Sequence, residues 1–142
     1  MTAPVANSEA ILGRKVPFLE MMGARALVRE KGRVVLSLAM RPELANSWGF
    51  AHGGVLMTLL DVAMGSAAGT ADASAAGVVS VNLSVSFLRA ASGPLVAEGR
   101  VVGGGRSIVF CEGEVHDQDG HVVAKGQGTF KLRRKSKAAA ED

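Results

Sequence analysis

The stretch NSWGFAHGGVLMTLLDVAMGSAAG, Asn46 to Gly69, decides the fold. From Gly53 onward it is apolar on nearly every side, and a helix with no proper polar face has to be wrapped by the rest of its chain. Its one carboxylate is Asp61. Gly54, Thr58, Asp61 and Gly65 follow one another at spacings of four, three and four, so they share one helix face as a stripe of small and polar residues. Burying an ionised carboxylate without partners costs several kcal/mol, so Asp61 is expected to be hydrogen-bonded or to face a polar cavity. No Lys or Arg lies within a helical turn of it.

Working outward, the chain on either side supplies the wrapping. Ser8 to Met22 carries a broken helical pattern, interrupted by Pro17, that suits a short helix or two. Ala26–Arg29 and Val34–Met40 alternate as strands around a turn at Lys31-Gly32, and Arg41-Pro42 ends the second. After a linker of small residues, Thr70 to Ala76, four strand patterns follow at Val78–Arg89, Pro94–Val102, Arg106–Asp117 and His121–Leu132. Gly103-Gly104-Gly105 and Asp119-Gly120 mark hairpin turns. The expected architecture is α+β, a long antiparallel sheet curled around one central buried helix. We expect one domain over 1–142, with its core at about 25–132 and loose ends at 1–7 and 134–142.

Composition narrows the class. The 142 residues are 48% hydrophobic, enough for one ordinary core. The formal charge of +3 owes much to Lys131, Arg133, Arg134, Lys135 and Lys137, without which the chain is close to neutral. Such a run reads first as a solvated end. With no aromatics interleaved among the basic residues, nucleic-acid binding is not expected. The single Cys111 rules out an intramolecular disulfide and reads as a small buried hydrophobe in a reducing, cytoplasmic setting. Neither a signal peptide nor a membrane span is expected, since Thr58, Asp61 and Ser66 interrupt the apolar run.

The start of the central helix offers chemistry complementary to Asp61. Gly53-Gly54 leaves backbone N–H groups unobstructed at the positive end of the helix dipole, where they can stabilise a developing oxyanion. Asp61 lies seven or eight residues farther on, roughly 10 to 12 Å along the axis. A base and an oxyanion donor must both come within about 3 Å of one small functional group. Two copies of the helix, antiparallel across a two-fold axis, satisfy that requirement and make a homodimer the catalytic unit.

The pattern N-x5-H-G-G-x6-D-x3-G, present as Asn46, His52-Gly53-Gly54, Asp61 and Gly65, resembles the hotdog-fold acyl-CoA thioesterases of the phenylacetic-acid-degradation (PaaI-like) group. VVSVNLSVSFLRAASGPLVAEGRVV and GRSIVFCEGEVHDQDGHVVAKGQGTFKL continue the likeness, which covers about Arg25 to Leu132. The resemblance implies hydrolysis of an acyl-CoA thioester without metal or redox cofactor, in a dimer or a dimer of dimers. Asp61 would activate water or act as nucleophile, and Ser80 would hold that water. The partner's Gly53 amide would polarise the carbonyl, with His52 and Asn46 orienting the thioester or assisting the departing thiolate. Each has a plainer reading: His52 as a cap, Asn46 and Ser47 as turn residues, Ser80 as a strand residue.

For the rest of the substrate, Arg89, Arg106 and Ser107 are expected at the phosphates or pantetheine of coenzyme A, beside Gly54. Trp48, Phe50 and Met57 are expected at the acyl pocket or a subunit interface. His116 and His121 flank the Asp119-Gly120 turn and are expected to be exposed, and no His/Asp/Glu spacing forms a metal site. Two other functions compete: a hydratase or dehydratase of the same fold acting on acyl-CoA or acyl carrier protein, and an acyl-CoA binding module without catalysis.

Overall fold

A computed structural model describes residues 8–134. Two short helices, α1 (Glu9–Leu12) and α2 (Pro17–Met22), precede strands β1 (Arg25–Glu30) and β2 (Arg33–Leu38). A single 3-10 turn (Pro42–Leu44) leads to α3 (Gly53–Thr70), followed by β3 (Ala75–Phe87), β4 (Leu95–Gly104), β5 (Ile108–His116) and β6 (Val122–Arg134). Pro17 opens α2, where its missing N–H costs nothing, and Gly23 closes it in the left-handed region at φ 81°. Ser8 ties this segment together: its hydroxyl donates to Glu20 at 2.8 Å and accepts from the Val16 amide at 2.5 Å.

The six strands form one antiparallel sheet in the order β1-β2-β4-β5-β6-β3, with α3 packed on its inner face. The sheet and central helix are as expected, but the four late strands are not a simple meander. β3 pairs with β6, and β4 pairs with β2. Among the late strands, tight hairpins join β4 to β5 and β5 to β6, whereas the seven-residue link 88–94 is long enough for β3 to cross to the far edge. β6 also runs past Leu132, taking in Arg133 and Arg134, which read in the sequence as solvated tail. The other residues expected as loose ends, 1–7 and 135–142, lie outside the described residues.

Packing explains why α3 has no polar face. Leu56, Leu59, Leu60, Ala63, Met64 and Ala67 are buried against the sheet with Leu36, Leu95, Val115 and Phe130. Under the helix, Gly99, Gly113 and Gly126 are direct cross-strand partners on β4, β5 and β6. A Cβ on Gly99 would sit 2.3 Å from the backbone carbon of Ala63, so the helix approaches the sheet there at backbone distance. The outer face of β2, β4 and β5 is charged. Arg33 reaches Glu98 at 2.7 Å and Arg100 reaches Glu112 at 2.8 Å, while Arg100 also bonds Glu98.

Candidate active site

His52 sets the start of α3. With φ −61° and ψ 140° it is extended, and its Nδ1 accepts the Gly54 N–H at 2.9 Å, so it is the N-cap. A nitrogen that accepts carries no proton, so the neutral ring holds its proton on Nε2, which meets no acceptor among the described residues. The same bond settles which of the two glycine amides is open. Gly54 has its N–H taken by His52, while the Gly53 N–H meets no acceptor among the described residues. Of the two amides available for an oxyanion by sequence, only Gly53 remains. Phe87, at the end of β3, lies 3.5 Å from where a Gly53 Cβ would stand and walls this amide on one side.

Asn46 builds the loop before the helix. Its Oδ1 accepts the amides of Trp48 at 2.9 Å and Phe50 at 3.1 Å, and its own N–H donates to the Phe50 carbonyl at 2.7 Å. The turn reading of Asn46 is therefore correct for its oxygen, and its side-chain NH2 is left over as a donor. Trp48, 81% exposed, projects from this loop, and the half-exposed Met57 lies on α3 nearby.

Two turns into the helix, Asp61 is partly buried, and its Oδ1 accepts the Ser80 hydroxyl at 2.6 Å. Its other oxygen has no protein partner among the described residues. Ser80 reaches it from a β-bulge: the β3–β6 register slips between Ser80 and Asn82, a distortion that aims a side chain out of the regular alternation. A carboxylate with one oxygen held and one open can take a proton from, or attack, a group within reach of the open oxygen. The Gly53 amide of the same chain lies eight residues away, roughly 12 Å along the axis.

Comparison with known proteins now places the chain. The family described as the Thioesterase superfamily matches residues 49–124, more than half the sequence. The chain belongs to the thioesterase superfamily. It is 30% identical over 135 residues to a Saccharolobus solfataricus protein named "Putative esterase", covering 94% of this chain and 96% of that one. The structure of a Streptococcus mutans protein bound to acetyl CoA aligns with TM-score 0.71 at 29% identity, over 79% of this chain and 90% of that chain. The Escherichia coli PaaI protein from the phenylacetic acid degradation operon shares the fold with TM-score 0.76 at 21% identity, over 82% and 84%. The architecture is the hotdog fold of these thioesterases.

Within this thioesterase-superfamily chain the remaining sequence-derived residues fall into two groups. Arg89 is exposed just past β3, at the end where α3 begins. Arg106 and Ser107 are exposed in the β4–β5 turn at the opposite end, where the Arg106 carbonyl accepts from Arg134 and the Ser107 carbonyl from the Leu132 amide. One chain therefore does not bring Arg89 and Arg106 together. Cys111 is no nucleophile: its thiol donates to the Met64 carbonyl at 3.4 Å, and burial pushes its pKa up to about 12. His116 is half-buried rather than exposed, with Nε2 2.9 Å from Glu114, while His121 is exposed as expected. Asp117, Asp119 and His121 come within 4.8 Å of one another at the β5–β6 turn, where Asp117 Oδ1 already accepts the amides of Asp119 and His121, each at 2.9 Å.

Sequence reasoning missed Phe87 beside the helix start and Ser66 farther along α3. Phe87 stands out in the sequence only as one apolar residue at the end of a strand pattern. Ser66 stands out only as a break in the apolar run.

Proposed function

We propose that the protein hydrolyses acyl-CoA thioesters at a site shared by two copies of the chain. The observation that carries this reading is the division of the site along one helix. Asp61, with Ser80 on one oxygen and the other open, stands about 12 Å from the open Gly53 amide at the start of α3. No single thioester carbonyl can meet both within one chain. A second α3 running antiparallel brings its Gly53 to the first chain's Asp61.

In that arrangement the Asp61 carboxylate takes a proton from water as the water oxygen bonds to the thioester carbon. The carbonyl oxygen gains the negative charge and is held by the partner's Gly53 N–H at the positive end of the helix dipole. Collapse of the tetrahedral species breaks the C–S bond. The His52 Nε2–H can hydrogen-bond the departing thiolate, which takes its proton from protonated Asp61, and free CoA leaves with a carboxylic acid. Ser80 keeps the Asp61 carboxylate oriented through its Oδ1, and Asn46 lies in the loop that leads into the same helix start. Oxygen chemistry of this kind is complete with the chain's own groups, and we expect no metal or redox cofactor.

Several features support a dimer. β3 is a 13-residue strand at the open edge of the sheet, with Val79 and Val81 exposed, the kind of edge that proteins cover. A second copy pairing along β3 extends the sheet and sets the two helices side by side. The exposed Val102 and Phe110 on the outer face suit the further pairing of two dimers. The S. mutans relative holds acetyl CoA, which supports coenzyme A as the carrier. Arg89 at the helix start of the copy that supplies Gly53 is then available to its phosphates.

The test is release of free thiol from acyl-CoAs by purified protein. Wild type is expected to release it and Asp61→Ala to do so at a rate lower by orders of magnitude while remaining folded and oligomeric. Equal rates would remove Asp61 from the mechanism. Loss of an enoyl chain's double bond with the thioester intact would instead point to a hydratase, and tight binding with no turnover to a binding module.

A further inference from the structure

A cavity of about 600 Å3 opens beyond Asp61 on the side away from the helix start. Gly65, Ser66 and Gly69 of α3 form one wall and Val78 with the first residues of β3 another. Gly65 and Gly69 continue the stripe that contains Asp61, so the cavity begins roughly 6 Å from that residue along the axis and reaches to about 12 Å. Its near walls are small and apolar. Arg14, Arg29, Arg133 and Arg134 also line it, and no acidic residue among those described does.

The polar groups here are under-used. Arg134 is paired with Asp72 at 2.6 Å, and Arg14 donates to the Ala76 carbonyl at 2.7 Å. No carboxylate pairs with Arg14, Arg29 or Arg133 among the described residues. The two buried side-chain polar atoms that lack a partner among the described residues are Ser66 Oγ and Arg134 Nε, and both belong to residues lining this one cavity. Ser66 is only 2% exposed. Three arginines at one cavity, with no carboxylate on any of them among the described residues, point to an anionic occupant.

We propose that this cavity receives the acyl chain and that the preferred acyl group ends in a carboxylate, making the substrate class ω-carboxyacyl thioesters. The inference rests on the acyl-CoA thioesterase reading above. With the reacting carbonyl at Asp61, the arm that runs along Gly65 and Gly69 passes small residues, and Arg133 and Arg134 lie toward its far end, paired with Gly77 and Ala75 where Ser80 pairs with Phe130. That layout matches a hydrocarbon chain with a terminal anion. It does not match the coenzyme arm, whose charges are carried on bulky phosphates. Arginine's planar fork grips a carboxylate through two parallel hydrogen bonds.

Thiol release measured on acetyl-, octanoyl- and suberyl-CoA tests this, since the last two differ only in the terminal carboxylate. Wild type is expected to favour suberyl- over octanoyl-CoA in kcat/KM by about tenfold or more, and Arg29→Met and Arg133→Met each to lower that ratio by a similar factor, mainly through KM. Neither arginine is tied by a carboxylate among the described residues, so both variants should fold, as circular dichroism would verify. A wild-type ratio at or below one, or a ratio unmoved by both variants, overturns the inference while leaving the hydrolytic reading intact. A parallel loss on all three substrates assigns the arginines to the coenzyme phosphates and also overturns it. Thiol released from none of them overturns the hydrolytic reading itself.

Discussion

In the proposed mechanism Asp61 and Gly53 must meet at one carbonyl, and each has a substitution that changes one atom group. Asp61→Asn keeps the shape and the Ser80 contact but cannot take a proton, so kcat should fall by roughly 10²- to 10⁴-fold in a thiol-release assay. Gly53→Pro is the sharper test. Gly53 is the first helical residue, where proline is tolerated, and His52 before it is already extended, as a residue preceding proline must be. The helix should survive while its open N–H is deleted, lowering kcat by roughly 10²- to 10³-fold with an unchanged circular dichroism spectrum. His52→Ala is less clean, since it also removes a cap worth about 1 kcal/mol. At this scale the sequence was informative wherever spacing along one helix decided the outcome, as for Gly54, Asp61 and Gly65. Ser80 at Asp61 was not derivable that way: the contact spans 19 residues and depends on a bulge set by the pairing of Ser80 with Phe130 on β6. The loss of Gly54 as an amide donor also depends on a side-chain rotamer of its neighbour.

At the scale of elements, the close approach of α3 to the sheet is the feature most exposed to mutation. Gly99→Ala would drive a Cβ into the Ala63 backbone at 2.3 Å, where no side chain can yield. Overpacking of that kind costs about 1–3 kcal/mol or more, so its melting temperature should drop clearly. Gly105→Ala, which meets nothing within 4 Å, should leave it almost unchanged. The charged ladder on the outer face predicts a pH effect. Burial, the largest single influence, pushes the Glu98 carboxyl up, yet the bonds from Arg33 and Arg100 together outweigh it and hold it below its ordinary 4.5. A lowered folded pKa means that the unfolded chain binds more protons in acid. The stabilisation is therefore complete above about pH 4.5 and lost as pH falls through the folded value. Glu98→Gln should be less stable at neutral pH by up to about 1 kcal/mol and show a shallower decline in acid, read by denaturant unfolding across pH. Strands and turns were legible from alternation and Asp-Gly or Gly-Gly signals. The placement of β3 beside β6 was not, because a crossover leaves no local signature, and the Gly99, Gly113 and Gly126 row shows only as glycines inside strands until the register aligns them.

For the whole molecule, length decides the outcome: one rigid helix holds its two functional ends too far apart to serve one carbonyl. On the proposed reading, the apolarity of α3 and the exposed edge at β3 belong together, in a dimer that completes the sheet and the site at once. That much could be inferred from the sequence by counting residues along a helix, before any strand was placed. The cationic cavity beyond Asp61 could not, since Arg14, Arg29 and Arg133 come from three separate elements or loops. The central claim is that the site is shared, and subunit complementation measures it directly. Asp61→Asn and Gly53→Pro protomers, each nearly inactive alone, are mixed under conditions that exchange subunits, and thiol release is followed. Random pairing makes half the dimers mixed, each with one site that has both an intact Asp61 and an intact Gly53, so activity should return to about one quarter of wild type. A mixture that stays as inactive as its components would contradict the shared site.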